Sequence, residues 1–164
     1  MAQDNTRAAQ VGATAAQFLP ATNPFLGLLP SEMWGKVKDF FMYTASFTPL
    51  AAGSTANVTT PIQADSDFLL TTVNGVVFDT TDTTVQANPR MLVTLLDAGA
   101  GRQLSDAAVH WLDFIGTGQL PGILPFPKIL RASSQLRTTV QNLDGATAYN
   151  VRIAYVGFKV FGFA

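Results

Sequence analysis

From residue 39 onward the chain alternates. Phe41, Tyr43, Ala45 and Phe47 fall on one side of an extended backbone, and Met42, Thr44, Ser46 and Thr48 fall on the other. Successive side chains of a strand point to opposite faces, so this pattern predicts a strand with one buried face. The pattern recurs. Val58, Thr60 and Ile62 oppose Asn57 and Thr59, with Pro61 marking a strand edge or end. Leu136, Thr138 and Val140 oppose Arg137, Thr139 and Gln141, and Asp144-Gly145 then turns the chain. Residues 90–97 are apolar on both faces and predict a central strand. A chain patterned in twos this often cannot be helical.

The breaks between these runs carry their own expectations. A short apolar strand over residues 68–73 is followed by Asn74-Gly75, a strong two-residue hairpin signal, which predicts residues 76–78 as the return strand. Residues 105–115 have some helical pattern, with Ser105 as a candidate cap and a strand around residues 110–114 as the alternative. Residues 116–127, with three prolines and three glycines, read as a loop. In the last strand Val151, Ile153 and Tyr155 oppose Arg152, while Phe158 and Val160 oppose Lys159. Arg152 and Lys159 reach solvent together only if the register slips by one, which predicts a bulge at or beside Gly157. The alternative is a flat strand with one cation at a subunit contact. About eight short strands with threonine and valine prominent, and no internal repeat, predict an all-β domain, a jelly-roll-like sandwich of antiparallel strands over residues 39–164.

Residues 1–38 are different. The first 17 are polar and alanine-rich, without the basic-then-apolar order of a targeting segment. Residues 18–37 carry Phe18, Leu19, Phe25, Leu26, Leu28, Leu29, Met33 and Trp34, interrupted by Pro20, Pro24 and Pro30. The prolines forbid a long helix or a central strand. A segment both apolar and extended must cover its side chains, over its own sheet or across a neighbour. The expectation adopted is an N-terminal arm, extended or partly helical, whose eight large apolar residues contact neighbouring subunits.

Composition sharpens this. Of the 164 residues 48% are hydrophobic and only 13% charged, against a usual charged share of about 25%. Disorder is excluded, since it needs the reverse balance. The ten cations are dispersed and the net charge is −1, whereas a nucleic-acid binder shows a basic stripe. The chain has no cysteine, hence no disulfide framework and no thiolate metal site. So little charge leaves too little polar surface for a comfortable monomer, and exposed apolar patches mark interaction sites.

Signals for chemistry are thin. His110 is the single histidine, and beside Trp111 and Phe114 it reads as a packed polar residue rather than a triad base. Asp65 with Asp67, and Asp79 with Asp82, match no cation-loop spacing and read as solvated turn residues. The glycines around residues 99–101 and 116–118 lack phosphate-loop spacing. Trp34, Trp111, Tyr43 and Tyr149 could form a sugar platform, with packing as the plainer reading. No catalytic, cofactor-binding or metal-ligating residue is expected.

Three residue groups carry a resemblance. These are Asp67-Phe68 opening a strand; Leu124-Pro125-Phe126-Pro127-Lys128-Ile129-Leu130 leading to the strand Leu136-Arg137-Thr138-Thr139-Val140-Gln141-Asn142-Leu143; and the closing Asn150-Val151-Arg152-Ile153-Ala154-Tyr155-Val156-Gly157-Phe158-Lys159. Over roughly residues 40–162 the chain resembles the cement and decoration proteins of tailed bacteriophage heads. The resemblance implies a jelly-roll that binds the capsid lattice and stabilises or decorates the head. It also implies a dimer or trimer, a terminal extension bound to the major capsid protein, and a place in the virion after assembly in the host cytoplasm. Neither nucleic acid nor membrane is an expected partner. The alternatives are a head–tail joining or tail and receptor-binding protein, or a carbohydrate-binding β-sandwich.

Overall fold

A computed structural model describes residues 37–81 and 86–161. The arm residues Phe18, Leu19, Phe25, Leu26, Leu28, Leu29, Met33 and Trp34, and Asp82, lie outside the described residues. The described chain forms strands β1 (Val37–Leu50), β2 (Thr55–Pro61), β3 (Asp67–Asp79), β4 (Met91–Asp97), β5 (Arg102–Gln103) and β6 (Val109–His110), then the one-turn helix α1 (Trp111–Phe114), then β7 (Gly122–Leu130), β8 (Gln135–Asn142) and β9 (Tyr149–Val160). One sheet has the order β1-β9-β3-β7. The other has the order β2-β8-β4-β5, with β6 also paired to β4. Every strand pairing is antiparallel. This is the all-β, jelly-roll-like sandwich the alternation predicts.

The inner faces follow the period of two. Tyr43, Ala45 and Phe47 of β1 point inward with Val151, Ile153 and Tyr155 of β9 and Phe68, Leu70, Val73 and Val77 of β3. Met91, Val93 and Leu95 of β4 meet them from the other sheet with Leu136 and Val140 of β8. At about 1.5–3 kcal/mol for each large apolar side chain fully buried, this layer is the main source of stability. Two polar groups cross it. The hydroxyls of Tyr155 on β9 and Thr138 on β8 are hydrogen-bonded, and both residues are wholly buried. Burial pushes the Tyr155 phenol far up, and the Thr138 bond offsets this only in part. The phenol therefore stays neutral.

Four local expectations change. Asn74-Gly75 is not a hairpin, because β3 runs through it without a turn. Gly75 serves a close approach instead: a Cβ there would lie 2.5 Å from Trp111 Cζ2 and 2.6 Å from Ile115 Cγ2. The helix expected within residues 105–115 is a single turn. Its cap is His110 rather than Ser105, since the His110 Nδ1 accepts from the Leu112 N–H at 3.4 Å. Ser105 instead donates to the Ala107 carbonyl at 2.6 Å. The loop over residues 116–127 ends early, since β7 begins at Gly122. Its prolines are tolerated because β7 is an edge strand whose residues 124–127 bulge out opposite Thr71.

The fourth change is in β9. Arg152 is exposed but Lys159 is 8% exposed, on the same face as Val151, Ile153 and Tyr155. No residue of β9 is skipped in its pairing with β1 or β3 between Val151 and Lys159. The extra residue sits on β3, where Thr71 lies between the partners of Gly157 and Val156. Gly157 is needed because a Cβ there would fall 1.9 Å from the Leu69 carbonyl oxygen. Lys159 thus extends its stem along the inner face to the rim of the sandwich. Its ammonium bonds Asp65 Oδ2 at 2.7 Å and the Gln63 side-chain oxygen, and lies 4.6 Å from the Phe41 ring centroid. Phe158 is correspondingly turned to the outer face.

Two stability tests follow from this packing. Tyr155→Phe leaves the Thr138 hydroxyl buried without a partner and is expected to cost about 1–3 kcal/mol in urea unfolding. Combining it with Thr138→Val should cost less than the two single changes added, by at least about 0.5 kcal/mol. Gly75→Ala should lower stability by about 1–3 kcal/mol through overpacking against Trp111, read as a lower urea midpoint at unchanged slope.

Candidate interaction surface

The residues with chemical potential are mostly occupied in structure. Asp67, expected as a solvated turn residue, is buried. Its carboxylate accepts from the Ala132 N–H at 2.7 Å and from Arg131 Nη1 at 2.9 Å, fixing the chain between β7 and β8. Asp65 is exposed and bound to Lys159. Asp79 accepts from both the N–H and the hydroxyl of Thr81 at 2.8 Å. Among the described residues no group of three or more His, Asp or Glu side chains could hold a metal ion. Trp111, Tyr43 and Tyr149 are buried in the core, so these three form no exposed sugar platform. The Tyr149 hydroxyl donates to Asp144 Oδ2 at 3.0 Å, and the Tyr43 hydroxyl accepts from the Gln63 N–H at 3.0 Å.

The outer face of the four-stranded sheet is what remains. Strand register arranges it in rows. Phe40, Phe158, Leu69 and Ile129 form one row across β1, β9, β3 and β7, and Met42, Val156, Thr72 and Ile123 form the next. Phe40 is 60% exposed, Met42 51% and Ile123 51%. The Phe40 and Phe158 rings meet edge to face at 6.1 Å between centroids. Phe126, in the bulge of β7, is 86% exposed. No charged side chain interrupts either row. Alternation hides this patch from a sequence reading, because the even positions of β1 look polar from Thr44 onward. The usable signal is the pair Phe40 and Met42 on a face that otherwise carries hydroxyls.

Farther along the same face the rows turn polar. Thr44, Ala154 and Asn74 share one row, and Ser46, Arg152 and Val76 the next. Here the surface is concave, a groove of about 450 Å³ with Thr48 and Gly118 at its margin. A second pair of exposed apolar side chains is Leu112 at 59%, within α1, and Leu120 at 78%, in the segment after it.

No family model matches the sequence, and no curated protein is similar to it. Among solved structures the chain is similar to the VP2 subviral particle of infectious bursal disease virus, at 13% identity and a TM-score of 0.37, over 77% of this chain and 34% of that one. The chain thus spans about a third of the length of that capsid protein.

Two turn carboxylates set the acid response. The N–H of Ala146 and the phenol of Tyr149 hold the Asp144 carboxyl below its usual range, and the Lys159 ammonium does the same for Asp65. A depressed carboxyl contributes stability above its unfolded value of about 3.9, and that contribution is lost as pH falls through the lower folded value. Asp144→Asn should therefore flatten the fall in melting temperature between roughly pH 5 and pH 2. The check is a set of thermal melts across that range beside the unaltered protein.

Proposed function

We propose that the protein is a non-enzymatic structural component of a virus particle, which binds the capsid lattice of a phage head and stabilises or decorates it. Its partners are then the major capsid protein and further copies of itself, with neither nucleic acid nor membrane involved. Its place is the phage head, assembled in the host cytoplasm. The observation that carries this reading is the outer face of the four-stranded sheet, where Phe40 and Met42 on β1 and Ile123 on β7 are more than half exposed in two uncharged rows, with Leu69 and Thr72 buried between them. Large apolar side chains left exposed on one face mark an interaction site. A second copy is the occupant it suits best. A two-fold contact brings the same face against itself, and the two rows, which carry no charge, meet no like-charge repulsion where they pair. The apolar arm over residues 18–37 supplies a further contact to neighbouring subunits in this reading.

Sedimentation velocity on the full chain tests it. The unaltered protein is expected to be a dimer or trimer. Phe40→Asp combined with Met42→Lys should give a monomer that no longer binds purified phage shells, with stability changed by no more than about 1 kcal/mol. A monomeric unaltered protein that leaves shells unbound would overturn the reading.

A further inference from the structure

The polar end of the same sheet face holds a site of a different kind. Thr44, Ser46 and Thr48 leave β1 on one side, Arg152 and Ala154 rise from β9 between, and Asn74 stands on β3. With the small residues Ala154 and Gly118 in its lining, this is an open groove of about 450 Å³, within the range of about 300–1,000 Å³ typical of small-ligand sites. Arg152 is the one charged residue of the lining. Lys128, Arg131 and Lys159 each lie within 4.0 Å of a carboxylate; Arg152, like Arg90, Arg102 and Arg137, has no ion-pair partner among the described residues, and of these four it alone lines the groove. Asn74 is held in place by its Oδ1, which accepts from the Gly122 N–H at 3.2 Å, leaving its amide donors to face the groove or solvent.

A guanidinium with no ion-pair partner among the described residues, in a groove edged by hydroxyls, defines its ligand. The planar fork matches a carboxylate in bidentate geometry. One positive charge balances a monoanion, whereas a phosphate dianion would keep a net charge. The three hydroxyls each donate and accept, which suits a body whose own groups do both. We propose that this groove binds an acidic sugar, its carboxylate on Arg152 and its hydroxyls on Thr44, Ser46, Thr48 and Asn74. This assignment does not depend on the apolar rows or on what covers them.

Titration of the full chain with D-glucuronate and N-acetylneuraminate, followed by amide chemical shifts, tests it. At least one acid sugar should saturate in the millimolar range, with shifts centred on residues 44–48, 74 and 152–154. D-Glucose should bind at least tenfold more weakly. Arg152→Ala should weaken the acid sugar at least tenfold, and Ser46→Ala with Thr48→Val at least threefold, both at unchanged melting temperature because all three side chains are exposed. The proposal is overturned if neither acid sugar shifts these residues. It is also overturned if acetate, inorganic phosphate or an acidic tetrapeptide binds as tightly as the better sugar, or if Arg152→Ala leaves the affinity intact. Loss of self-association with retained sugar binding, or the reverse, separates this site from the proposed interface.

Discussion

The contact between the hydroxyls of Tyr155 and Thr138 sits where the two sheets are pinned together. β9 lies between β1 and β3 in one sheet, and β8 lies between β2 and β4 in the other. A hydrogen bond joining these two strands ties the middle of each layer to the middle of the other. Apolar contact alone is non-directional and tolerates sliding. A buried hydroxyl pair does not, since a slip by one residue would orphan both groups at about 1–3 kcal/mol each. The bond therefore specifies register more than it adds stability. Tyr155 in turn fixes which β9 side chains face inward, and the character of every other surface follows.

The consequences run to the end of the strand. With Tyr155 inward, the parity of two places Gly157 and Lys159 inward and Val156 and Phe158 outward. The misfit is absorbed on β3, where the extra residue Thr71 donates its hydroxyl to the Val156 carbonyl at 3.1 Å. A lysine directed into a sandwich would be costly at the centre. At the rim its ammonium lies over the Phe41 ring and meets Asp65 and Gln63. The Phe158 ring is thus turned outward, where it meets Phe40 edge to face.

How much of this a sequence can reveal depends on the range of the interaction. The sandwich was legible because alternation is local: Leu136, Thr138 and Val140 inward with Arg137 and Gln141 outward appear in the structure as read. Asn74-Gly75 misled because the same dipeptide suits a tight turn and a close approach, and only the distant Trp111 decides between them. Lys159 misled because charge was assigned to solvent, whereas its partners Gln63 and Asp65 lie more than ninety residues away. Residues 124–127 read as a loop because prolines disfavour strands, and an edge position with a bulge is invisible locally. Of the candidate surface, only the oddity of Phe40 and Met42 beside a row of hydroxyls was visible. The arm residues fall outside the described chain.

The outer sheet face also carries an argument about selection that stability does not supply. Moving along the strands by one pair of rows, Met42 gives way to Thr44 on β1, Val156 to Ala154 on β9, and Thr72 to Asn74 on β3. On β1 and β9, distant in sequence, the change is from bulky and apolar to small or polar at one line across the sheet, while β3 carries a polar residue on both sides of it. A face left to solvent has no need of the apolar rows, and a face wholly buried in a contact has no need of an unpaired guanidinium. Each strand's inner residues would fold the sandwich equally well with either outer set, because alternate positions point away from the core. The boundary therefore divides the face into an uncharged, mainly apolar part and an open part that carries hydroxyls and one guanidinium.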